Sequence, residues 1–166
     1  MKQHRWNALH VKPHFEWVVA TYLKERDIEH FLPLQKKSRI RSVESPLFPG
    51  YIFSKCDTET KISLVYIPGV LSALSSGESQ VYISEREIEN LRQIVHAGCH
   101  LLPWPFALGN RKVRVENGAL RGVVGILEGE ADKRLLVLSI QLIRRSIAID
   151  LGPDSVVSVA AANTLP

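Results

Sequence analysis

The sequence has no uninterrupted apolar run that approaches the roughly 20 residues needed to cross a bilayer as a helix. Its opening stretch, MKQHRWNALHVK, contains no apolar segment of the kind that secretory signal peptides carry. It has only two cysteines, Cys56 and Cys99, which are too few for a disulfide framework. We therefore expect a cytoplasmic protein without membrane spans, in which both cysteines are thiols.

Signatures of catalysis are also missing. The sequence contains no P-loop, no nucleophile elbow and no dinucleotide-binding fingerprint. His96, Cys99 and His100 lie close together, but a zinc site generally needs a fourth ligand, and nothing nearby supplies one. We therefore expect neither an enzyme nor a bound metal or cofactor.

The composition, with 45% hydrophobic and 23% charged residues, is typical of a folded globular protein. The net charge of +4 is modest, but it is unevenly placed. Lys36, Lys37, Arg39 and Arg41 follow one another without an intervening acid, and such a local field attracts phosphate. The alternative is a solvated basic hairpin that binds no ligand.

Hydrophobic periodicity in the first half predicts a sheet with helices packed on it, an α+β unit. The predicted strands are Trp6–Lys12, His30–Leu34, a run from about Tyr51 to Phe53, Val70–Leu74 and Gln80–Ile83, with a basic hairpin or loop before Ser45. The predicted helices follow Pro13, run from an Asp57 cap to Ile67, and run from a Ser84 cap to a stop at Gly98.

The second half is predicted to be all β. Short β-branched runs recur at Lys112–Val115, Val123–Leu127, Leu135–Ile140 and Arg144–Asp150, which favours a small barrel. Pro103 and Pro105 lie between the halves in a stretch typical of linkers. We therefore predict domains at 1–97 and 109–166, joined by a linker at 98–108.

The order of these signals resembles the NusG family, whose members join an N-terminal NGN domain to a C-terminal KOW domain. In the first half the match consists of Trp6 with Leu9 and Lys12-Pro13, FLPL at Phe31–Leu34, PLFPGYIF at Pro46–Phe53, and IPGV at Ile67–Val70. In the second half it consists of Gly109, Val113, Val115, Asn117-Gly118, Leu120, Gly122 and Gly125. The stretch PLFPGYIF is more similar to specialised paralogues of the RfaH, UpxY or LoaP kind than to the housekeeping protein of the family.

The resemblance implies an antiparallel NGN sheet with helices, an SH3-like KOW barrel, and a monomeric, non-enzymatic transcription elongation and antitermination factor. It implies that an apolar surface of the NGN domain binds the clamp helices of RNA polymerase. Carried over to this sequence, that contact falls on Phe48, Tyr51 and Phe53, with Ile52 pointing the other way along the strand. The alternative is that these three side chains only fill the domain core.

The resemblance also implies contacts with the non-template DNA strand of the transcription bubble. Phosphate contacts fall on Lys36, Lys37, Arg39 and Arg41, and base-edge contacts fall near Lys61 and Ser63.

In the KOW barrel, the resemblance implies contacts with a ribosomal small-subunit protein or with Rho. They fall around Leu142, Ile143 and Arg145, which are equally well explained as barrel strand and surface.

Two alternative functions stay open at this point. One is the housekeeping role of the same family, which couples polymerase to Rho or to the ribosome. The other is a ribosome-associated RNA-binding protein, because KOW modules also occur in ribosomal proteins and basic loops suit RNA. The first half discriminates against the second alternative, since a ribosomal KOW protein has no reason to carry PLFPGYIF behind a strand and helix.

Overall fold

The structure is a computed structural model that describes residues 2–37, 43–74, 82–109, 111–129 and 133–160. The chain forms two compact units, Met1–Glu85 (unit 1) and Arg86–Pro166 (unit 2), which are treated separately below. No helix within the described ranges is long and apolar enough to span a membrane.

Unit 1 combines an antiparallel sheet with two helices. Its strands are β1 (Arg5–Val11), β2 (Glu29–Phe31), β3 (Leu34–Lys36), β4 (Glu44–Pro46), β5 (Tyr51–Cys56) and β6 (Val70–Ala73), and its helices are α1 (Glu16–Glu25) and α2 (Thr58–Leu64). Four strands form a sheet in the order β2-β5-β1-β6, and β3 pairs with β4 separately. The α+β class expected from the periodicity is confirmed.

One face of this sheet carries the apolar core of unit 1. Leu9 and Val11 of β1 and Ile52 of β5 lie on this face and are fully buried. Val19 and Leu23, four residues apart on α1, supply the facing stripe of the helix. Burying side chains of this kind stabilises the fold by about 1.5–3 kcal/mol each. We call this cluster, which also includes Cys56, Leu64 and Ile67, the α1 core.

The start of α2 is the predicted one. The side chain of Asp57 accepts a hydrogen bond of 2.7 Å from the backbone N–H of Thr60, as an N-cap does. This N–H is the largest cause that lowers the pKa of the Asp57 carboxyl below its usual value.

The two proline-glycine motifs meet at the end of β1. The backbone N–H of Val11 donates to the carbonyl of Gly50, and the N–H of Lys12 donates to the carbonyl of Gly69, each at 2.8 Å. The buried carboxylate of Glu16 accepts from the N–H of Gly50 at 2.9 Å. The stretches LFPG and IPGV therefore fix the junction between β1 and α1. Both glycines have positive φ angles, which a residue without a Cβ adopts readily.

Unit 2 is built on a six-stranded sheet. The strands are β7 (Leu101–Trp104), β8 (Lys112–Val115), β9 (Val124–Glu128), β10 (Leu135–Ile140), β11 (Arg145–Asp150) and β12 (Val157–Val159), in the order β12-β8-β9-β10-β11-β7. Every pairing is antiparallel. The expectation of an all-β second domain is confirmed, and four of these strands lie within one residue of their predicted bounds.

The helix α3 (Glu85–Ala97) crosses the division between the two units. Within unit 2, the amide of Gln93 donates to the carbonyls of Ala119 and Arg121 at 2.9 and 2.8 Å. The helix stops at Gly98, which has a φ of +65° as predicted for a left-handed cap. The predicted domains, 1–97 and 109–166, are defined by independent folding, so their boundaries stay a prediction.

The segment 98–108, predicted to be a linker, contains the strand β7. Its residues pair with β11 from Leu101↔Ile149 to Trp104↔Ser146. The indole N–H of Trp104 donates to Glu128 at 2.8 Å. Pro103 and Pro105 pointed to a linker, yet β7 lies at the edge of the sheet, where a strand tolerates proline because one side of its backbone needs no partner.

Candidate functional site

The sheet of unit 1 has a second face, opposite the α1 core. Because side chains alternate along a strand, Ile52 points to the α1 core whereas Tyr51 and Phe53 point to the second face. The strand register places His10 opposite Tyr51, and Phe31 opposite Phe53. We call five side chains of this region the aromatic face: His10, Phe31, Phe48, Tyr51 and Phe53.

Phe53 is the centre of the aromatic face. Its ring lies 6.4 Å from the ring of Phe31 and 6.1 Å from the ring of Phe48, the latter edge to face. Such pairs contribute about 0.5–1.5 kcal/mol beyond the burial of their area. The exposed fractions of Phe53 and Phe48 are 0% and 4%, so both are buried supports of this face.

The accessible part of the aromatic face lies at the beginning of β5. The ring of Tyr51 stacks on the ring of His10, with centroids 5.2 Å apart and an angle of 23° between the planes. Both side chains are half-buried, as is Phe31. These three side chains therefore present partly exposed aromatic surface beside the buried rings, and Phe31 contacts one of them, Phe53.

A charged cluster bounds the aromatic face at the opposite end of β5. The ammonium of Lys55 lies 2.5 Å from Glu85 and 3.8 Å from Glu29. It also lies 5.9 Å from the centre of the Trp6 ring, and the indole N–H of Trp6 donates to Glu85 at 2.9 Å. Two carboxylates share one ammonium here, so the cluster carries one negative charge in excess.

The predicted phosphate-binding residues lie on and after β3. Lys36 ends β3 and Lys37 follows it, and both are exposed. The backbone N–H of Lys37 donates to the carbonyl of Val43 at 3.0 Å, so the segment is held as a pair with β4. Arg39 and Arg41 lie outside the described residues.

Lys61 and Ser63, the predicted base-edge contacts, lie on α2 but differ in environment. Ser63 is exposed, and its hydroxyl donates to the carbonyl of Thr60 at 2.7 Å. Lys61 is half-buried, with its ammonium 5.9 Å from the centre of the Tyr82 ring. Residues two apart on a helix do not face each other, so these two side chains form no common site.

The predicted partner contacts of unit 2 lie at the turn between β10 and β11. Leu142 and Ile143 belong to a 3₁₀ turn, Gln141–Ile143, and Arg145 begins β11. Ile143 is 6% exposed and packs inside unit 2, whereas Arg145 is exposed and Leu142 is half-buried. Arg144, between Ile143 and Arg145, has a φ of +51°, and its guanidinium carbon lies 5.0 Å from the centre of the Phe106 ring.

Sequence reasoning missed His10 and Phe31 as members of the aromatic face. The alternation of Trp6, Ala8 and His10 along β1 was visible in the sequence. Which residues of β5 they would meet depends on the strand register, which no local pattern supplies.

Comparisons with known proteins point to one family. A family model described as "Transcription termination factor nusG" matches residues 4–92. Two curated relatives, each a "Transcription termination/antitermination protein NusG" from a strain of Helicobacter pylori, are 24% identical over 126 residues, covering 74% of this chain and 72% of theirs. A solved structure, "Domain interaction in Thermotoga maritima NusG", has a TM-score of 0.52 at 17% identity, covering 89% of this chain and 93% of its own. At that identity the structural likeness concerns the fold alone.

Proposed function

Because the chain belongs to the NusG family of transcription termination and antitermination factors, we propose that it acts on transcription elongation as a non-catalytic adaptor of RNA polymerase. The family match covers residues 4–92, which is the part of the chain that a ribosomal KOW protein would not need. The operon-specific role remains our preferred form of this proposal, with the housekeeping role as its alternative.

The aromatic face carries the proposal for polymerase binding. Aromatic side chains bury large rigid surfaces at low entropic cost, and they are enriched at the centres of protein interfaces. Tyr51 and His10 stack on each other in the accessible part, while Phe48 and Phe53 form a buried pair on the same face. The proposed partner is an apolar surface of the polymerase clamp helices.

Two further surfaces complete the proposed function. Lys36 and Lys37 contact phosphates of the non-template DNA strand, together with Arg39 and Arg41. In unit 2, Leu142 and Arg145 contact a ribosomal small-subunit protein or Rho, with Ile143 supporting the turn from inside.

The proposed mechanism is a shift between conformations of the polymerase. A factor that binds the elongating form more tightly than the paused form lowers the population of the paused form. A difference of a few kcal/mol in binding free energy suffices to suppress pausing strongly.

Polymerase binding is tested with Tyr51→Ala in the full chain. Truncating an aromatic anchor at an interface costs about 2 kcal/mol or more, which is a roughly thirtyfold weaker Kd for core RNA polymerase. The matched control is Tyr22→Ala, because Tyr22 is also a half-buried tyrosine but packs against the α1 core on the other face. Binding is measured by a fluorescence titration with labelled protein.

Phe53→Ala is unsuitable for this experiment, because Phe53 is fully buried and its loss would reduce folding stability as well as binding. A folded Tyr51→Ala variant that binds core polymerase as tightly as Tyr22→Ala would exclude the aromatic face as the polymerase contact.

A further inference from the structure

On one face of the unit 2 sheet, side chains of neighbouring strands form an apolar cluster. It consists of Ile126 of β9, Leu135 and Val137 of β10, and Ala148 of β11, and all of them are buried. The strand registers place Val137 opposite both Ile126 and Ala148, so these side chains lie on the same face of the sheet. We call this group the β10 cluster.

The segment Leu101–Leu108, which we call the strap, covers the β10 cluster. Its first half is β7, which pairs with β11, and the side chains of Leu102 and Trp104 pack against the cluster because residues two apart on a strand share a face. Ala107 packs against the same cluster further along the strap. The strap thus adds one strand to the sheet and lays alternate side chains on its face, which is how many proteins bind an extended peptide.

Polar groups of this face hold the strap at its backbone and at one ring. The Ser139 hydroxyl donates to the carbonyl of Ala107 at 2.6 Å, and the backbone N–H of Ala107 donates to the Ser146 hydroxyl at 3.2 Å. The indole N–H of Trp104 donates to Glu128 at 2.8 Å. Contacts with backbone groups are independent of side-chain identity, so the selectivity of the face comes from the positions that Leu102 and Trp104 fill.

The strap is bound in a way that allows it to leave the face. Its side chains on the β10 cluster are half-buried, whereas Val137 and Ala148 of the cluster are fully buried. The hydroxyls of Ser139 and Ser146 lie 2.6 Å apart and share a hydrogen bond, so both stay satisfied when Ala107 departs. Opening would expose the apolar cluster to water, so it is favourable only when another peptide takes the place of the strap.

We propose that this face is a peptide-binding site, which the strap closes within the chain and which accepts an extended segment of a protein partner. That segment carries an aliphatic residue and, two positions later, an aromatic residue with a ring N–H, because Leu102 and Trp104 fill these places. The strap competes at an effective concentration on the order of millimolar, as a short tether gives. The proposal concerns unit 2 alone and does not depend on polymerase binding.

The test uses Trp104→Ala in the full chain and a fluorescent peptide of residues 100–109. Loss of the indole weakens the strap, so the peptide should bind this variant at least tenfold more tightly than the unaltered chain, as measured by anisotropy. The matched control is Leu108→Ala, which truncates an exposed side chain of the strap and should bind the peptide like the unaltered chain. A peptide that carries Leu102→Ser and Trp104→Ser should bind to neither variant.

Hydrogen exchange of the unaltered chain tests the proposal without a variant. If the strap leaves while the sheet stays folded, amides between β7 and β11 should exchange at least tenfold faster than amides between β10 and β11. Equal rates would overturn the proposal, because the strap would then leave only when the sheet unfolds. So would a folded Trp104→Ala variant that binds the peptide no more tightly than the unaltered chain, or that binds the serine-substituted peptide equally well.

Discussion

The two faces of the unit 1 sheet differ in how completely they are buried. On the α1 core, the residues that β1 and β5 contribute are 0–3% exposed, and the facing positions of α1 and α2 are buried with them. On the aromatic face, burial is graded: Phe53 and Phe48 are buried, and Tyr51 and His10 are half-buried. The α1 core also has partly buried side chains packed around it, among them Tyr22. The two faces therefore differ in what is left partly exposed, which on the aromatic face includes a stacked pair of rings, Tyr51 and His10.

The largest effect is expected from Phe53→Ala, which truncates the buried centre of the aromatic face. The free energy of unfolding should fall by about 3–5 kcal/mol, because the change leaves a cavity among Phe31, Phe48 and the sheet. Tyr51→Ala, two residues earlier on the same face, should cost about 1 kcal/mol. Urea denaturation measures both values, and equal losses would show that burial on this face is not graded.

The α1 core was largely predictable, because alternation along β5 and the helical stripe of α1 are local patterns. The bounds Leu135–Ile140 of β10 were predicted as the structure has them, since β-branched and aliphatic residues fill that run. The strand β7 was not predictable, because Pro103 and Pro105 are typical of a linker. The segment is a strand through its pairing with β11.

The candidate sites were less predictable than the fold. Phe48, Tyr51 and Phe53 came from a resemblance, and no local pattern distinguishes the buried pair from the accessible tyrosine. Burial of Ile143 follows from the turn that ends in the left-handed Arg144, which depends on the β10–β11 register.

An intermediate effect is expected at the glycine that fixes the end of β1. Gly69 has a φ of +95°, and a Cβ there would lie 2.4 Å from Cδ1 of Phe15. Gly98 has a φ of +65° but would meet no atom within 4 Å. The left-handed backbone costs about 1–2 kcal/mol in either alanine variant.

Steric overlap therefore adds about 1–3 kcal/mol at Gly69 alone. The difference between Gly69→Ala and Gly98→Ala in thermal denaturation isolates this overlap. If the two variants unfolded at the same temperature, Phe15 would be packed less closely against Gly69 at the junction between β1 and α1 than the structure has it.

The smallest effect is expected outside both faces, at Lys36 and Lys37. Reversing both to Glu should leave folding stability nearly unchanged, because both side chains are exposed. If each lysine neutralises one phosphate of single-stranded DNA, the slope of log affinity against log salt should become shallower by about 0.7 for each lysine replaced. The control variant, Lys24→Glu with Arg26→Glu at the end of α1, changes the net charge equally at another place.

Elongation assays at several salt concentrations measure whether pause suppression follows the same slope. If pause suppression fell equally in both double variants, net charge alone would attract DNA to unit 1. A reduction confined to the Lys36 and Lys37 variant would instead place the DNA strand along the β3–β4 pair. Since this pair lies outside the four-stranded sheet, polymerase binding through the aromatic face and DNA binding through the lysines should then be separable by mutation.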